Sequence, residues 1–243
     1  MNTYFLSIGK LLSKVFSRES PVSRIESSIS SEFHLHIVST SFVSDFLSKL
    51  KTNKAIGLDK LSARLLKDAS AAVSLVIIEL INKSFVDGVF PKVWKSERVT
   101  ALFTGGDRYQ KDNYRPISIL PTVSKIVEKA AHVQLCTHLE QNKLLSHSQY
   151  GFRQRRSTST ALINFTDQML ENMDNGQVTG SVFLDLRKAF DTVDHLILIN
   201  KLKSLGMSGK SLSWFQSYLT SRTQRTVSGD AISPAANITV GVP

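Results

Sequence analysis

The spacing of apolar residues along the chain predicts several amphipathic helices. Apolar side chains that recur every three or four residues share one face of a helix. Two segments show this period clearly: Val43, Phe46, Leu47, Leu50; and Val123, Ile126, Val127, Ala130, Val133. Residues 71–85 are almost continuously apolar, which predicts a long buried helix closed by Asp87-Gly88.

Three further helical patterns follow, at 157–173, 195–205 and 210–221. The first of them carries an apolar stripe that we interpret as core: Leu162, Phe165, Met169, Met173. Asn175-Gly176 is a typical stop signal for this helix. Residues 1–40 have a thin apolar pattern and many serines, which predicts a short helix followed by a loosely ordered lead.

Short apolar runs predict strands between these helices. Residues 98–103 form one such run, and two short strand-like pieces flank 228–230. Residues 182–184 form a continuous apolar run after Gly180, which predicts a buried strand over 181–184 with Asp185 at its carboxyl end. Helices and strands together indicate the α/β (α+β) class.

Asp185 is the first candidate for chemistry. A lone carboxylate is costly to bury, so an acid at a strand end usually has a cation, a metal or backbone donors beside it. Phe190 follows five residues later. Without other motifs, Asp185 as a loop cap and Phe190 as a core aromatic would be the better interpretation.

Charge narrows the class of partner. The 243 residues carry 30 Lys and Arg against 20 Asp and Glu, a formal charge of +10, which favours a polyanion. Binding to a ribosome or a membrane surface would give the same composition. The single cysteine, Cys136, indicates an intracellular protein, in nucleus or cytoplasm. The start does not resemble a signal peptide, and the most apolar stretch, 71–81, is too short to span a bilayer.

The basic residues concentrate in one stretch. From Gln141 to Thr166 there is no acid, while four cations and two aromatics accumulate: Lys143, Tyr150, Phe152, Arg153, Arg155, Arg156. Cations beside aromatic rings can bind phosphates and stack bases together, as in proteins that bind single strands. A solvated loop is the alternative interpretation.

Four segments together resemble the reverse transcriptases of non-LTR (LINE-type) retrotransposons: DLRKAFDTVDH from Asp185, NYRPISIL from Asn113, QYGFR from Gln149, and GVP at the end. They occur in the order that the family shows. The resemblance covers about 41–243 and implies part of a right-hand polymerase, with fingers at about 41–177 and the start of the palm at about 178–243.

The resemblance also implies roles for individual residues. Asp185, with the backbone carbonyl of Leu186, would hold catalytic Mg²⁺, and oxygen ligands suit this cation. Arg115 would contact the triphosphate of the incoming nucleotide, and Phe190 would exclude a 2′-hydroxyl. The nucleic-acid contacts would come from Gln149, Tyr150, Arg153, Arg155 and Arg156. RNA template, DNA primer and deoxynucleoside triphosphates are the implied partners, with no membrane.

Two departures from the family pattern affect the expected activity. Relatives usually carry a Lys before GGD where this chain has Thr104, so either Lys95, Arg98 or Arg108 replaces its charge or this copy is impaired. No two aspartates are adjacent, and the Tyr/Phe-x-Asp-Asp motif is missing. We therefore expect a truncated polymerase that is inactive alone. The alternative is a non-catalytic remnant that binds RNA or DNA through its basic residues.

Overall fold

The computed structural model describes residues 1–15, 31–186 and 188–242. The chain divides into two compact units, one formed by Met1–His138 with Lys188–Pro243 and the other by Leu139–Arg187. Helices and strands are both present, as the sequence predicts. The predicted N-terminal helix is present. Residues 16–30, which make up much of the predicted loosely ordered lead, lie outside the described residues.

The first unit contains a mixed five-stranded sheet. Its strands are β1 (Ser96–Phe103), β2 (Tyr114–Ile119), β3 (Arg222–Ser228), β4 (Ala231–Ile232) and β5 (Ala236–Ile238). The order is β2-β1-β3-β4, and β5 also pairs with β3. The β1–β2 pair is an antiparallel hairpin, whereas β1 and β3 run parallel. Because β1 and β3 are far apart in sequence, a long crossover joins them.

The helices of the chain match most of the predicted segments. They are α1 (Asn2–Val15), α2 (Thr40–Ser48), α3 (Ala63–Asp68), α4 (Ser70–Asp87), α5 (Thr122–Gln141), α6 (Thr158–Asp174), α7 (His195–Ser204) and α8 (Gly209–Leu219). Side chains of Ser39, Ser62 and Asp194 accept hydrogen bonds from the first backbone N–H groups of α2, α3 and α7. These caps explain why the helices begin at those residues.

The main core of the first unit forms around Trp214 on α8. Its indole ring is almost fully buried and donates a hydrogen bond from Nε1 to Ser84 Oγ at 2.8 Å. Tyr218 stacks on it with ring centroids 5.7 Å apart, and Phe85 and Phe90 contact it edge-on at 5.4 Å. Because the ring is buried against other aromatic rings and its N–H is hydrogen-bonded to Ser84, Trp214 stabilises the packing of α8 against α4.

A buried ion pair joins two strands of the sheet. Arg222 on β3 donates from Nε to Glu97 Oε1 on β1 at 2.9 Å, and the side chains are 1% and 2% exposed. Arg222 also donates from Nη1 to the carbonyl of Tyr218 at 3.1 Å. Burial and the charge of Arg222 both lower the pKa of Lys95, which precedes β1. Removing either partner of such a pair leaves an uncompensated charge in the interior, which is strongly destabilising.

Two of the predictions for the second unit are wrong. Residues 181–184 are not a buried strand, because 177–186 have no regular secondary structure and Val182, Phe183 and Leu184 are more than 80% exposed. No strand of the described residues pairs with this segment, and an apolar run needs a ladder partner to become a strand. Helix α6 is present, but its stripe is not core: Leu162 and Met173 are 64% and 65% exposed.

None of the described helices is long and apolar enough to cross a membrane. The proposed boundary between fingers and palm near residue 177 does not coincide with a boundary of the compact units, which lie at 138/139 and 187/188. The units follow from packing within the chain, so the subdomain boundary stays a prediction.

Candidate active-site residues and nucleic-acid interface

Arg115 lies on the exposed face of the sheet. It belongs to β2 and is paired with Leu102 on β1. The residue before it, Tyr114, pairs with Phe103, and these two rings contact each other at 5.3 Å on the opposite face. Arg115 is exposed, and Pro116 after it holds the backbone extended. Its guanidinium is therefore presented to solvent from a regular strand.

Two more arginines share this face with Arg115. Arg98 lies four residues before Leu102 on β1, and Arg225 on β3 is its direct cross-strand neighbour. The Nε atom of Arg98 is buried without a hydrogen-bond partner among the described residues. Like charges that face each other across strands are destabilising unless an anion lies between them. Sequence reasoning missed Arg225, because the segment Arg222–Ser228 is mostly polar and its alternation of buried and exposed side chains is seen only in the structure.

The loop between β1 and β2 clarifies the position of Thr104. Its hydroxyl donates to the carbonyl of Asn113 at 2.9 Å, so it fastens the loop. Lys95 cannot replace a cation here, because its side chain is buried and its Nζ donates to Ser217 Oγ at 3.2 Å. Arg108 is exposed, and its guanidinium lies 4.8 Å from the centre of the Phe103 ring. Of the proposed replacements, Arg108 is thus the exposed cation in the same loop as Thr104.

Phe190 lies in a 3₁₀ turn, Ala189–Thr192, and its side chain is 59% exposed. It is therefore not the core aromatic that its residue type alone would favour. The backbone of 241–242 holds this turn: Val242 N donates to Phe190 O at 3.0 Å, and Gly241 N donates to Val193 O at 2.8 Å. A side chain at Gly241 would meet the carbonyl oxygen of Asp191 at 3.0 Å, and φ there is +86°. Only glycine fits this approach.

Three acids follow one another through this region, in different settings. Asp185 is exposed, as is Leu186, and both belong to the second unit. Asp191, in the first unit, is half-buried, and burial raises the pKa of its carboxyl while Lys188 opposes the change. Asp194 accepts hydrogen bonds from Leu196 N and Ile197 N at 2.8 and 3.1 Å as the cap of α7. Asp185 is therefore the carboxylate most accessible to a ligand.

The basic loop, residues 143–156, is organised by two of its arginines. Arg153 forms a two-pronged ion pair with Glu140, with Nε–Oε1 at 2.9 Å and Nη2–Oε2 at 2.6 Å. Its Nη1 donates to the carbonyl of Ser146 at 2.8 Å. These bonds lower the pKa of the Glu140 carboxyl. The acid that neutralises Arg153 lies one residue before the acid-free stretch, which is why the sequence pattern did not show it.

The other cations of the basic loop have different partners. Arg156 donates to the carbonyl of His147, and its guanidinium lies 4.9 Å from the centre of the Tyr150 ring. Arg155 is exposed with φ of +61°, and within the described residues it forms no ion pair or side-chain hydrogen bond. Gln149 donates to the carbonyl of Gly151 at 3.3 Å. Arg153 and Arg156 thus shape a loop that leaves Arg155 accessible.

Comparison with known proteins shows that three of these residues lie within one family match. The reverse transcriptase (RNA-dependent DNA polymerase) family matches residues 105–240, which include Arg115, Asp185 and Phe190. The chain belongs to this family. Its similarity is to the non-LTR retrotransposon enzymes, so the resemblance found in the sequence is confirmed. A polymerase of this family has a mixed helix and sheet fold, as the structure does.

Individual relatives support the same conclusion. The RNA-directed DNA polymerase from mobile element jockey of Drosophila melanogaster is 34% identical over 78% of this chain and 21% of its own length. The jockey polymerase of Drosophila funebris is 28% identical over 94% of this chain and 25% of its length. The probable RNA-directed DNA polymerase from transposon X-element of Drosophila melanogaster is 30% identical over 83% and 22%. The chain thus spans about a fifth to a quarter of these relatives.

The reverse transcriptase family is generally metal-dependent. The described residues contain no group of three or more His, Cys, Asp and Glu side chains that could hold a metal ion. Magnesium prefers an octahedral oxygen shell and is reluctant to lose its water. Asp185 alone does not meet this requirement, so these residues do not fit a complete magnesium site.

Proposed function

We propose that this chain is the fingers and the first part of the palm of an RNA-directed DNA polymerase from a non-LTR retrotransposon. The family match over 105–240 carries the proposal, because the matched segment includes Arg115, Asp185 and Phe190, to which we assign the nucleotide, metal and gate roles. The fingers would cover about 41–177 and the palm segment about 178–243. RNA template, DNA primer and deoxynucleoside triphosphates are the proposed partners.

The exposed residues support distinct roles in this function. Arg115 presents a planar guanidinium, which can pair two of its donors with phosphate oxygens of the incoming nucleotide. Phe190 presents a half-exposed ring from a turn held by Gly241, which suits a rigid barrier against a 2′-hydroxyl. Asp185 contributes one carboxylate, and the Leu186 carbonyl one more oxygen, to the magnesium site of the complete polymerase.

The 243-residue chain should not extend a primer alone, because Asp185 by itself cannot hold two catalytic cations. The test replaces the aligned segment of the Drosophila melanogaster jockey polymerase with this chain. We expect the chimaera to extend a DNA primer on an RNA template with magnesium, while the isolated chain gives no product with magnesium or manganese. Extension by the isolated chain, or a folded chimaera without activity, would contradict the proposal.

RNA binding without catalysis is a second candidate function for the isolated chain, and the accessible cations of the basic loop favour it. Binding through these cations releases counterions, so affinity should fall steeply with salt. We expect micromolar binding of single-stranded RNA in fluorescence anisotropy at low salt and a clear loss at higher salt. Replacing Arg153, Arg155 and Arg156 together with Ala should flatten the salt dependence. Equal affinity at both salt concentrations would exclude this mode of binding.

The structure separates the contributions of these arginines. Arg155→Ala should reduce the slope of log affinity against log salt by about 0.7, the value for one contact to a single strand. The control is Lys203→Ala, which removes an exposed ammonium group from α7 and should leave the slope unchanged. Arg153→Ala should also alter protease cleavage of 143–156, because the Glu140 and Ser146 contacts disappear with it. An unchanged slope in Arg155→Ala would remove that residue from the interface.

A further inference from the structure

A cavity of about 640 Å³ lies in the first unit, outside the residues considered so far. Four elements surround it: the end of α2, the loop 49–54, the first residue of α3 and the first half of α5. Its apolar floor is formed by Phe42, Phe46, Leu50 and Ala63. Its rim carries five lysines: Lys49, Lys51, Lys54, Lys125, Lys129. We call it the lysine-rimmed cavity.

The charge of the rim is strongly unbalanced. Asp45 is the single acid among the lining residues, against five exposed ammonium groups. Within the described residues, none of the five lysines forms an ion pair. Glu128, which lies between the two lysines of α5, accepts a hydrogen bond from Ser124 at 2.7 Å and is mostly buried. The cavity therefore presents a net positive opening to solvent.

The two lysines of α5 occupy positions where their positive charges destabilise the helix. Lys125 lies in the first turn of α5, where the partial positive charge of the helix N-terminus disfavours a cation. Lys129 is one turn further on, and like charges four residues apart destabilise a helix. Asp45 is the one acid of the lining, and Glu128, whose pKa the charge of Lys125 acts to lower, is the carboxylate beside Lys125 on α5. An anionic ligand in the cavity would relieve both.

The apolar floor of the cavity indicates that its ligand also carries a flat apolar group. Phe42 and Phe46 are one turn apart on α2 and are half-buried, so part of each ring remains accessible. A volume of this size is typical of cavities that hold a small organic molecule. An amphipathic protein helix needs an open groove that contacts several of its turns. A floor of four residues is too small for that and suits a nucleobase.

We propose that the lysine-rimmed cavity binds single-stranded RNA, with one base against Phe42 and Phe46 and the adjoining phosphates on the lysines. The inference rests on the proposed function for RNA as the partner. It adds a contact surface in the first unit, separate from the basic loop of the second. Stacking of a base on an aromatic ring together with backbone neutralisation is the general mode of single-strand binding.

Lysine acetylation followed by mass spectrometry tests the proposal on the 243-residue chain with and without a single-stranded RNA oligonucleotide. The five rim lysines should become protected together, by about fivefold or more, as phosphate contacts cover them. Lys83 and Lys92 are exposed elsewhere in the same unit and serve as internal controls. RNA that binds in anisotropy without protecting the rim overturns this inference and leaves the proposed function intact. Absence of any RNA binding contradicts both the inference and the binding function.

Charge reversal supplies an independent measurement. Lys125→Glu with Lys129→Glu should weaken RNA binding by about tenfold or more at low salt, since two phosphate contacts become repulsive. Lys201→Glu with Lys203→Glu makes the same change of charge on exposed positions of α7 and should weaken binding much less. Equal losses in the two variants would show that only net charge matters and would overturn the site.

Two other probes test the occupant. Inorganic polyphosphate carries the charge of RNA without bases, so it should protect the rim less than RNA at equal phosphate concentration. Equal protection would overturn the placement of a base on Phe42 and Phe46. Polyglutamate represents an acidic protein segment. Stronger protection by polyglutamate than by RNA would overturn RNA as the ligand in favour of an acidic protein partner.

Discussion

Glu97→Ala should lower the free energy of unfolding by about 3–5 kcal/mol, because it leaves the Arg222 guanidinium buried without its counter-ion. Both side chains are almost fully buried, so water cannot replace the missing carboxylate. Nη2 of Arg222 already has no hydrogen-bond partner among the described residues, and the change would also release Nε. Urea unfolding followed by circular dichroism measures the difference.

Two further variants separate charge from packing. Glu97→Gln keeps the size of the side chain and should cost less than Glu97→Ala, because an amide oxygen can still accept from Arg222. Lys83→Ala breaks an exposed ion pair with Asp87 and should cost less than about 1 kcal/mol. If the free energy of unfolding of Glu97→Ala equals that of the parent chain, another carboxylate must pair with Arg222 in the variant. Glu128 would be the first to test, since the charge of Arg222 acts to lower its pKa.

Helices were predictable from the sequence because their apolar period is local. Residues 71–85 predicted a helix that the structure has at Ser70–Asp87, and the Gly88 that ends it adopts φ of +69°. The predicted burial of most of this helix was wrong, because Leu75, Val76 and Val86 are more than half exposed. The predicted strand at 98–103 is present as Ser96–Phe103. In these segments the apolar pattern and the stop signal specify the same element.

The segment 181–184 shows where local pattern fails. Its residues are as apolar as those of a buried strand, yet burial depends on a neighbouring strand and not on composition. Phe183 is 83% exposed, and its ring contacts Phe165 of α6 at 5.9 Å. The exposed stripe of α6 has the same cause, since a helical period predicts an apolar face but not what covers it.

Pairing between distant segments was equally invisible to sequence reasoning. Arg115 could be placed from its motif, but Arg98 and Arg225, on the same face of the sheet, meet only through the parallel alignment of β1 with β3. Arg153 was predicted among the nucleic-acid contacts, and the structure shows that Glu140 already occupies its donors. Its role in binding stays a prediction, with Arg155 the more accessible candidate.

Asp185→Asn in the chimaeric jockey polymerase should reduce primer extension by about a thousandfold or more, because an amide lacks the negative charge that a divalent cation requires at the site of phosphoryl transfer. The substitution keeps the size of the side chain, and Asp185 is exposed, so the fold should not change. RNA affinity of the variant should equal that of the parent chimaera, which separates loss of chemistry from loss of binding. Asp167→Asn removes an exposed carboxylate from α6 and should retain full activity.

Asp191→Asn is the decisive comparison, because Asp191 is the nearest alternative carboxylate in the sequence. Asp191 is half-buried and burial raises the pKa of its carboxyl, so it is less available to a cation than the exposed Asp185. We therefore expect Asp191→Asn to keep most of the primer-extension activity. If Asp191→Asn abolishes extension while Asp185→Asn retains it, the metal-binding acid belongs to the 3₁₀ turn beside Phe190. The exposed carboxylate after Leu184 would then have no part in catalysis.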